Sequence, residues 1–132
     1  MKLHYFTGRR LGLTPIVEEV QCDSSEKPDV IPSLKHIEYH SLDGFEWGYG
    51  GSGPADLALS LLVAVFIADA YEEKEAYEKA WPYHQAFKWE IIARLDDKEW
   101  MITANQVRAW VQKNDMQAEI GLAKKGVANG GS

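Results

Sequence analysis

GFEWGYGGSGPADLALSLLVAVFIADA, from Gly44 to Ala70, is the stretch whose reading decides the fold. Five glycines fall between Gly44 and Gly53, Pro54 follows at once, and then comes the longest apolar run of the chain. This order reads as a glycine turn that delivers the backbone into a buried helix over about Pro54 to Ala70. Proline suits a first helical turn, because the N–H it lacks would be unpaired there, and Gly53 or Ser52 is placed to cap. Asp56 is then expected in the first turn, where a carboxylate favours the positive end of the helix dipole. Between Leu57 and Ala68 the segment is apolar nearly all round, the mark of a helix covered on most sides.

Upstream of this core, Leu34 to His40 (LKHIEYH) alternates with the period of a strand, and Asp43-Gly44 is a hairpin-turn signal. Phe45 to Tyr49 is the expected partner strand, with Phe45, Trp47 and Tyr49 forming an aromatic plate for the helix. Nearer the N-terminus, Lys2 to Gly8 and Thr14 to Val20 read as an antiparallel strand pair, with Arg9-Arg10 at the end of the first. Gln21 to Pro32 is polar and twice broken by proline, which reads as a long surface loop.

Downstream, Tyr71 to Lys79 turns amphipathic and acidic, and Trp81-Pro82 reads as a break because proline cannot continue the helical ladder. A further helix is expected from about Pro82 to Leu95. Glu99 to Ile102 is a short strand, and Thr103 with Gln106 three residues later is a capping-box pattern opening a last helix that frays between Asn114 and Gly121. Strands come first and helices later, so the expected class is α+β. The expected architecture is a small antiparallel sheet packed on a buried central helix with two or three more. Residues 1–128 are expected to form a single domain, and 129–132 (NGGS) a flexible tail.

Composition narrows the function classes. A chain of 132 residues with 45% hydrophobic and 11% aromatic content has the makings of one packed core. A net charge of −6 argues against nucleic acid as the partner, since phosphate neutralisation needs clustered Lys and Arg. Cys22 is the sole cysteine, so neither an intramolecular disulfide nor a paired-cysteine metal site is available. The N-terminus lacks the order of a secretory signal, and the apolar run falls short of the ~20 residues a spanning helix needs. The expected location is therefore cytoplasmic, with no membrane and no cofactor involved.

Gly48, Gly50 and Gly53 match the G-x-G-x-x-G spacing of dinucleotide sites, with Asp69 at a plausible distance for a ribose contact. No buried parallel strand follows, however, and Asp56 would confront a pyrophosphate. A P-loop is excluded because no Gly-Lys-Ser or Gly-Lys-Thr follows, and a nucleophile elbow is excluded because Pro54 stands two positions after Ser52. Two uses of the loop remain open. The glycines either let backbones approach closely, or they form, with Arg9, Arg10, Gly50, Gly51, Ser52, Gly53 and Asp56, a site for an anion or a partner's carboxylate. His36, Glu38 and His40 share one face of a strand, an acceptable ligand set for zinc or iron that an ordinary solvated face produces equally well. Glu72, Glu73, Glu75 and Glu78 form an acidic helix face, with Glu75 and Lys79 a favourable pair. That face is either a solubilising surface or a docking surface for a basic partner.

The segment GFEWGYGGSGPADLALSLL (Gly44 to Leu62) resembles a family of small bacterial and bacteriophage proteins of unknown function. The likeness extends to Tyr-Phe-x-Gly-Arg-Arg at Tyr5 to Arg10, to Phe87-Lys88 and to Trp-x-Ile-Thr at Trp100 to Thr103, over about Tyr5 to Trp110. It carries over no activity, cofactor or catalytic residue. It implies a prokaryotic or phage cytosolic setting, in which small acidic proteins act by binding a larger host protein. The expected function is thus a protein-interaction module, with another protein or a second copy as partner. The alternative is an anion- or phosphate-binding protein or enzyme built on the glycine loop.

Overall fold

A computed structural model describes residues 2–23, 29–31 and 44–128. The expected strand at Leu34 to His40, with the His36, Glu38 and His40 face, lies outside the described residues, as do 129–132.

Alternating aromatic and β-branched residues make the first two strands, β1 (Lys2–Leu11) and β2 (Thr14–Asp23), antiparallel as expected. Both run further than their composition suggests. Leu11 pairs directly with Thr14, so the strands meet in a two-residue turn at Gly12-Leu13, and Gly12 supplies the positive φ of 63° that this turn requires. The turn, not Gly8, ends β1, and Arg9-Arg10 therefore belong to the strand. Pro15 sits near the start of β2, where the loss of one donor is tolerated. The expected loop after Val20 is partly strand. Cys22 and Asp23 stay paired with Leu3 and Lys2, and β3 (Asp29–Ile31) adds itself to β2. Ladder hydrogen bonds outweigh the weak β preference of these polar residues. The fourth strand, β4 (Glu99–Thr103), pairs with the other edge of β1, and the sheet order is β3-β2-β1-β4.

The expected partner strand at Phe45 to Tyr49 is irregular instead. Gly44 and Gly48, at φ 96° and 85°, break the two-residue alternation, so the three aromatics do not share a face. Trp47 is buried, Phe45 half-buried and Tyr49 53% exposed.

The central helix is α1 (Ser52–Ala68). It begins two residues earlier than expected, with Gly51 rather than Ser52 or Gly53 at the N-cap and no side-chain cap bond. Asp56 consequently lies in the second turn, fully buried, and not at the dipole's end. Leu57, Leu59, Leu61 and Leu62 are fully covered, each contributing about 1.5–3 kcal/mol. The helix stops short of Ala70 in a Schellman arrangement: Ala70 N–H donates to Ile67 O, and Tyr71 N–H to Phe66 O. Ala70 occupies the left-handed position at φ 75°, where glycine is the usual residue. Ala70→Gly is therefore expected to raise unfolding free energy by about 0.5–1 kcal/mol, read from urea denaturation. A destabilised variant would contradict this account of the cap.

The expected break at Trp81-Pro82 does not occur. The next helix, α2 (Glu73–Glu90), runs continuously through Pro82. Its buried stripe, Ala76, Ala80, His84 and Phe87, stays in phase across the proline and packs along α1. Pro82 and Glu78, whose carbonyl loses its partner, are both exposed, so water can take the unpaired oxygen. The helix ends at Glu90 rather than Leu95, and a 3₁₀ turn over Ile92–Arg94 leads on to β4.

The last helix, α3 (Ala104–Ala128), opens with the expected capping box. Thr103 N–H donates to Gln106 Oε1 at 2.9 Å, and Gln106 N–H to Thr103 Oγ1 at 3.0 Å. It does not fray at Asn114 to Gly121, because Met116, Gln117, Ala118 and Glu119 of that segment are good helix formers. The fold is thus α+β, as expected, with an antiparallel sheet and three α-helices among the described residues. Phe6, Val17, Trp100 and Ile102 form the sheet's share of the core. No helix of the described residues is long and apolar enough to cross a membrane.

Tyr83 on α2 donates its O–H to Asp115 on α3, and its phenol is pushed up to about 12 from the ordinary 10.0, chiefly by that bond. The folded chain holds this proton more tightly than the unfolded one. The resulting stability is full below pH 10 and disappears as pH climbs from 10 towards 12. The stability gap between the native chain and Tyr83→Phe is expected to close over that window. A gap constant with pH would refute the assignment.

Candidate functional site

The strand period sends Arg9 and Arg10 to opposite faces of β1. Arg9 is exposed and meets Glu18 across the β1–β2 pair at 3.2 Å. Arg10 reaches the segment that precedes α1. Its two terminal nitrogens donate to the two oxygens of Glu46, each at 3.0 Å, and its Nε–H donates to the Asp97 carbonyl at 2.8 Å. A fourth bond goes to Asp97 Oδ1 at 3.2 Å, and the guanidinium lies 4.3 Å over the Trp47 ring. Trp47 Nε1–H donates to the same Asp97 carbonyl at 3.1 Å. The neighbouring Asp96 accepts from the Lys98 and Glu99 N–H groups, which hold its carboxyl below the usual range.

The result is a clamp joining β1, the glycine segment and the turn before β4. Glu46 raises the Arg10 pKa above its already high ordinary value, so the clamp stays charged. A cavity of about 420 Å³ opens beside it, bordered by Arg10, Glu46, Trp47, Tyr49 and Asp97. One cation faces two carboxylates there, and four of the five guanidinium N–H groups are committed. The clamp braces structure more readily than it attracts an anion.

At the helix start, Gly50, Gly51 and Gly53 serve close approach. A Cβ on Gly50 would lie 2.1 Å from Trp89 Cζ3, one on Gly51 2.4 Å from Tyr49 Cε2, and one on Gly53 2.9 Å from Glu46 Cβ. Two aromatic rings therefore rest on the loop with outer surface exposed, Tyr49 at 53% and Trp89 at 57%. Lys88 holds its ammonium 4.4 Å from the Trp89 ring centre. Ser52 is exposed, Gly53 and Asp56 are buried, and Pro54 has no N–H to offer. The structure brings the three glycines together with Tyr49, Glu46 and Trp89. It directs the hydrogen bonds of Arg9 and Arg10 to Glu18, Glu46 and Asp97, away from Ser52.

Glu72, Glu73, Glu75 and Glu78 are all exposed around the start of α2, with Glu73 and Glu75 in its first turn. Lys79, expected opposite Glu75, places its ammonium over the rings of Phe66 and Tyr71, at 5.4 and 5.3 Å. Among the described residues, no group of three His, Cys, Asp or Glu is placed to hold a metal ion. Glu46 and Asp97 carry no mark in the sequence, whereas Trp89, with Trp100 and Trp110, reads there as a core or interface anchor without any sign of where it packs. Paired glycines signal that something packs on them, but Trp89 comes from another helix and carries no local sign of it.

The class defined by these features is an α+β chain whose sheet is clamped to a glycine-opened central helix. The profile of a family of unknown function, DUF6166, matches residues 6–113, and the chain belongs to that family. No curated protein and no solved structure matches it.

Proposed function

We propose that this chain is a protein-interaction module whose contact surface centres on Tyr49 and Trp89. The observation that carries this reading is the pair of exposed aromatic rings seated on Gly50 and Gly51. Rings held this way contribute contact area at little entropic cost, and Trp and Tyr dominate the energetics of protein interfaces. The acidic residues Glu72, Glu73, Glu75 and Glu78 add a field that steers a basic partner. The family resemblance favours a bacterial or bacteriophage cytosolic setting, with regulation or inhibition of a host protein as the biological form.

The test compares capture from a bacterial lysate by the native chain and by Tyr49→Ala/Trp89→Ala. Both side chains are more than half exposed, so the circular dichroism of the variant is expected to match the native chain. The native chain is expected to retain a defined protein that the double variant loses. Equal retention by both, or none by either, would count against the reading.

A further inference from the structure

The geometry points to a second binding site, on the α2–α3 side of the molecule, for a small amphipathic anion: a short apolar body with a carboxylate or phosphate head. An apolar groove of about 260 Å³ lies between the end of α2, β4 and the start of α3, lined by Phe87, Ile91, Leu95, Met101 and Val107. Trp110 forms one wall. The same Trp110 and Ile91 border a second cavity of about 250 Å³, into which Arg94 and Lys113 face. Trp110 and Ile91 thus line both an apolar groove and a neighbouring cavity bordered by two cations. Each cavity alone lies just below the ~300–1,000 Å³ typical of small-ligand sites, and the two together fall within it.

Two observations mark this as a prepared site. Trp110 is held on three sides: edge-on to Phe87 with ring centres 5.0 Å apart, edge-on to Tyr83 at 6.3 Å, and by Nε1–H donating to Glu90 at 3.2 Å. The wall is therefore in place before any ligand arrives, which lowers the ordering cost of binding. Secondly, Arg94 and Lys113 form no ion pair with any described residue, whereas Arg9, Arg10 and Arg108 each meet a carboxylate. In a chain of net charge −6, two unmatched cations beside an apolar groove favour an anionic head and disfavour a cationic one. Glu90 borders the same cavity and accepts the Trp110 N–H, so the two cations there outnumber one carboxylate and leave a net positive charge for the head. None of these residues belongs to the Tyr49–Trp89 surface, so this site stands apart from the interaction reading.

The test uses octanoate, octanol and octylammonium, three probes with one tail and different heads, followed by NMR at the Trp110 indole N–H and the Met101 methyl. Octanoate is expected to shift both resonances saturably. Octanol should bind roughly fivefold more weakly, and octylammonium should shift neither over the same range. Arg94→Gln/Lys113→Gln, at two exposed positions, is expected to reduce octanoate affinity to that of octanol while leaving octanol binding unchanged. Met101→Gln, at the exposed mouth of the groove, should weaken both. The proposal is overturned if octanoate moves neither resonance, if the three heads bind alike, or if the double variant binds octanoate as the native chain does.

Discussion

Trp47→Ala is expected to lower the unfolding free energy by about 3–5 kcal/mol, the range for removing a large aromatic ring from a packed interior. The ring is 1% exposed and sits where three segments meet. Arg10 covers one face at 4.3 Å, Trp100 packs edge-on with ring centres 5.6 Å apart, and the indole N–H closes onto the Asp97 carbonyl. Truncation leaves a cavity beneath a guanidinium that then has only carboxylates and a carbonyl around it. Arg10→Ala should cost less, about 1–2 kcal/mol, because its partner Glu46 is 30% exposed and solvent screens part of the pair. The two changes share a contact, so the double variant should lose less than the sum. Urea denaturation decides the matter, and a Trp47→Ala loss below about 1 kcal/mol would show that the clamp does not organise the fold.

Gly8→Val is the second large effect, an expected loss of about 3 kcal/mol. A Cβ at Gly8 would stand 2.2 Å from Trp100 Cε2 and 2.3 Å from its Nε1, well inside contact distance. The Trp100 ring cannot simply swing aside, since it is only 8% exposed and is braced by Trp47. Either the indole leaves the core or β1 and β4 separate. Trp100 Nε1–H is buried with no hydrogen-bond partner among the described residues, so Trp100→Phe removes packing but breaks no bond among them. The pair Gly8→Ala/Trp100→Phe is accordingly expected to be more stable than the sum of its single changes implies, because the smaller ring makes room for the methyl. Strict additivity would place the clash elsewhere.

Much of the fold is legible wherever the deciding interactions are local. The run from Leu57 to Ala68 announces a covered helix because almost every side of it is apolar, and Leu57 through Leu62 are indeed buried. Thr103 and Gln106 close a capping box within four residues, and Gly12 permits the turn that pairs β1 with β2. Errors arise where distant packing overrides local preference. Pro82 should stop a helix, yet the stripe from Ala76 to Phe87 stays in register against α1, and the lost hydrogen bond falls on the exposed side. Phe45 to Tyr49 alternates like a strand, but Gly44 and Gly48 turn its backbone out of extended geometry.

The candidate site divides along the same line. That Gly50, Gly51 and Gly53 matter follows from their number alone; what they accommodate does not, because Trp89 arrives from a helix nearly forty residues further on. Arg9 and Arg10 look like a basic pair when read as neighbours. In a strand they face apart, and Arg10 finds Glu46 and Asp97 at separations of 36 and 87 residues.

By itself the amino-acid sequence determined the α+β class, the covered helix, the N-terminal hairpin and the cap of the last helix, since each depends on side-chain periodicity or on bonds within a few residues. Only the tertiary structure decided that Arg10 is a clamp, that the glycines seat Tyr49 and Trp89, and that Trp110 lines both an apolar groove and a cavity bordered by two cations. Those arrangements depend on which residues distant in the chain become neighbours. Such proximity is set by the packing of the whole core, and no local pattern encodes it.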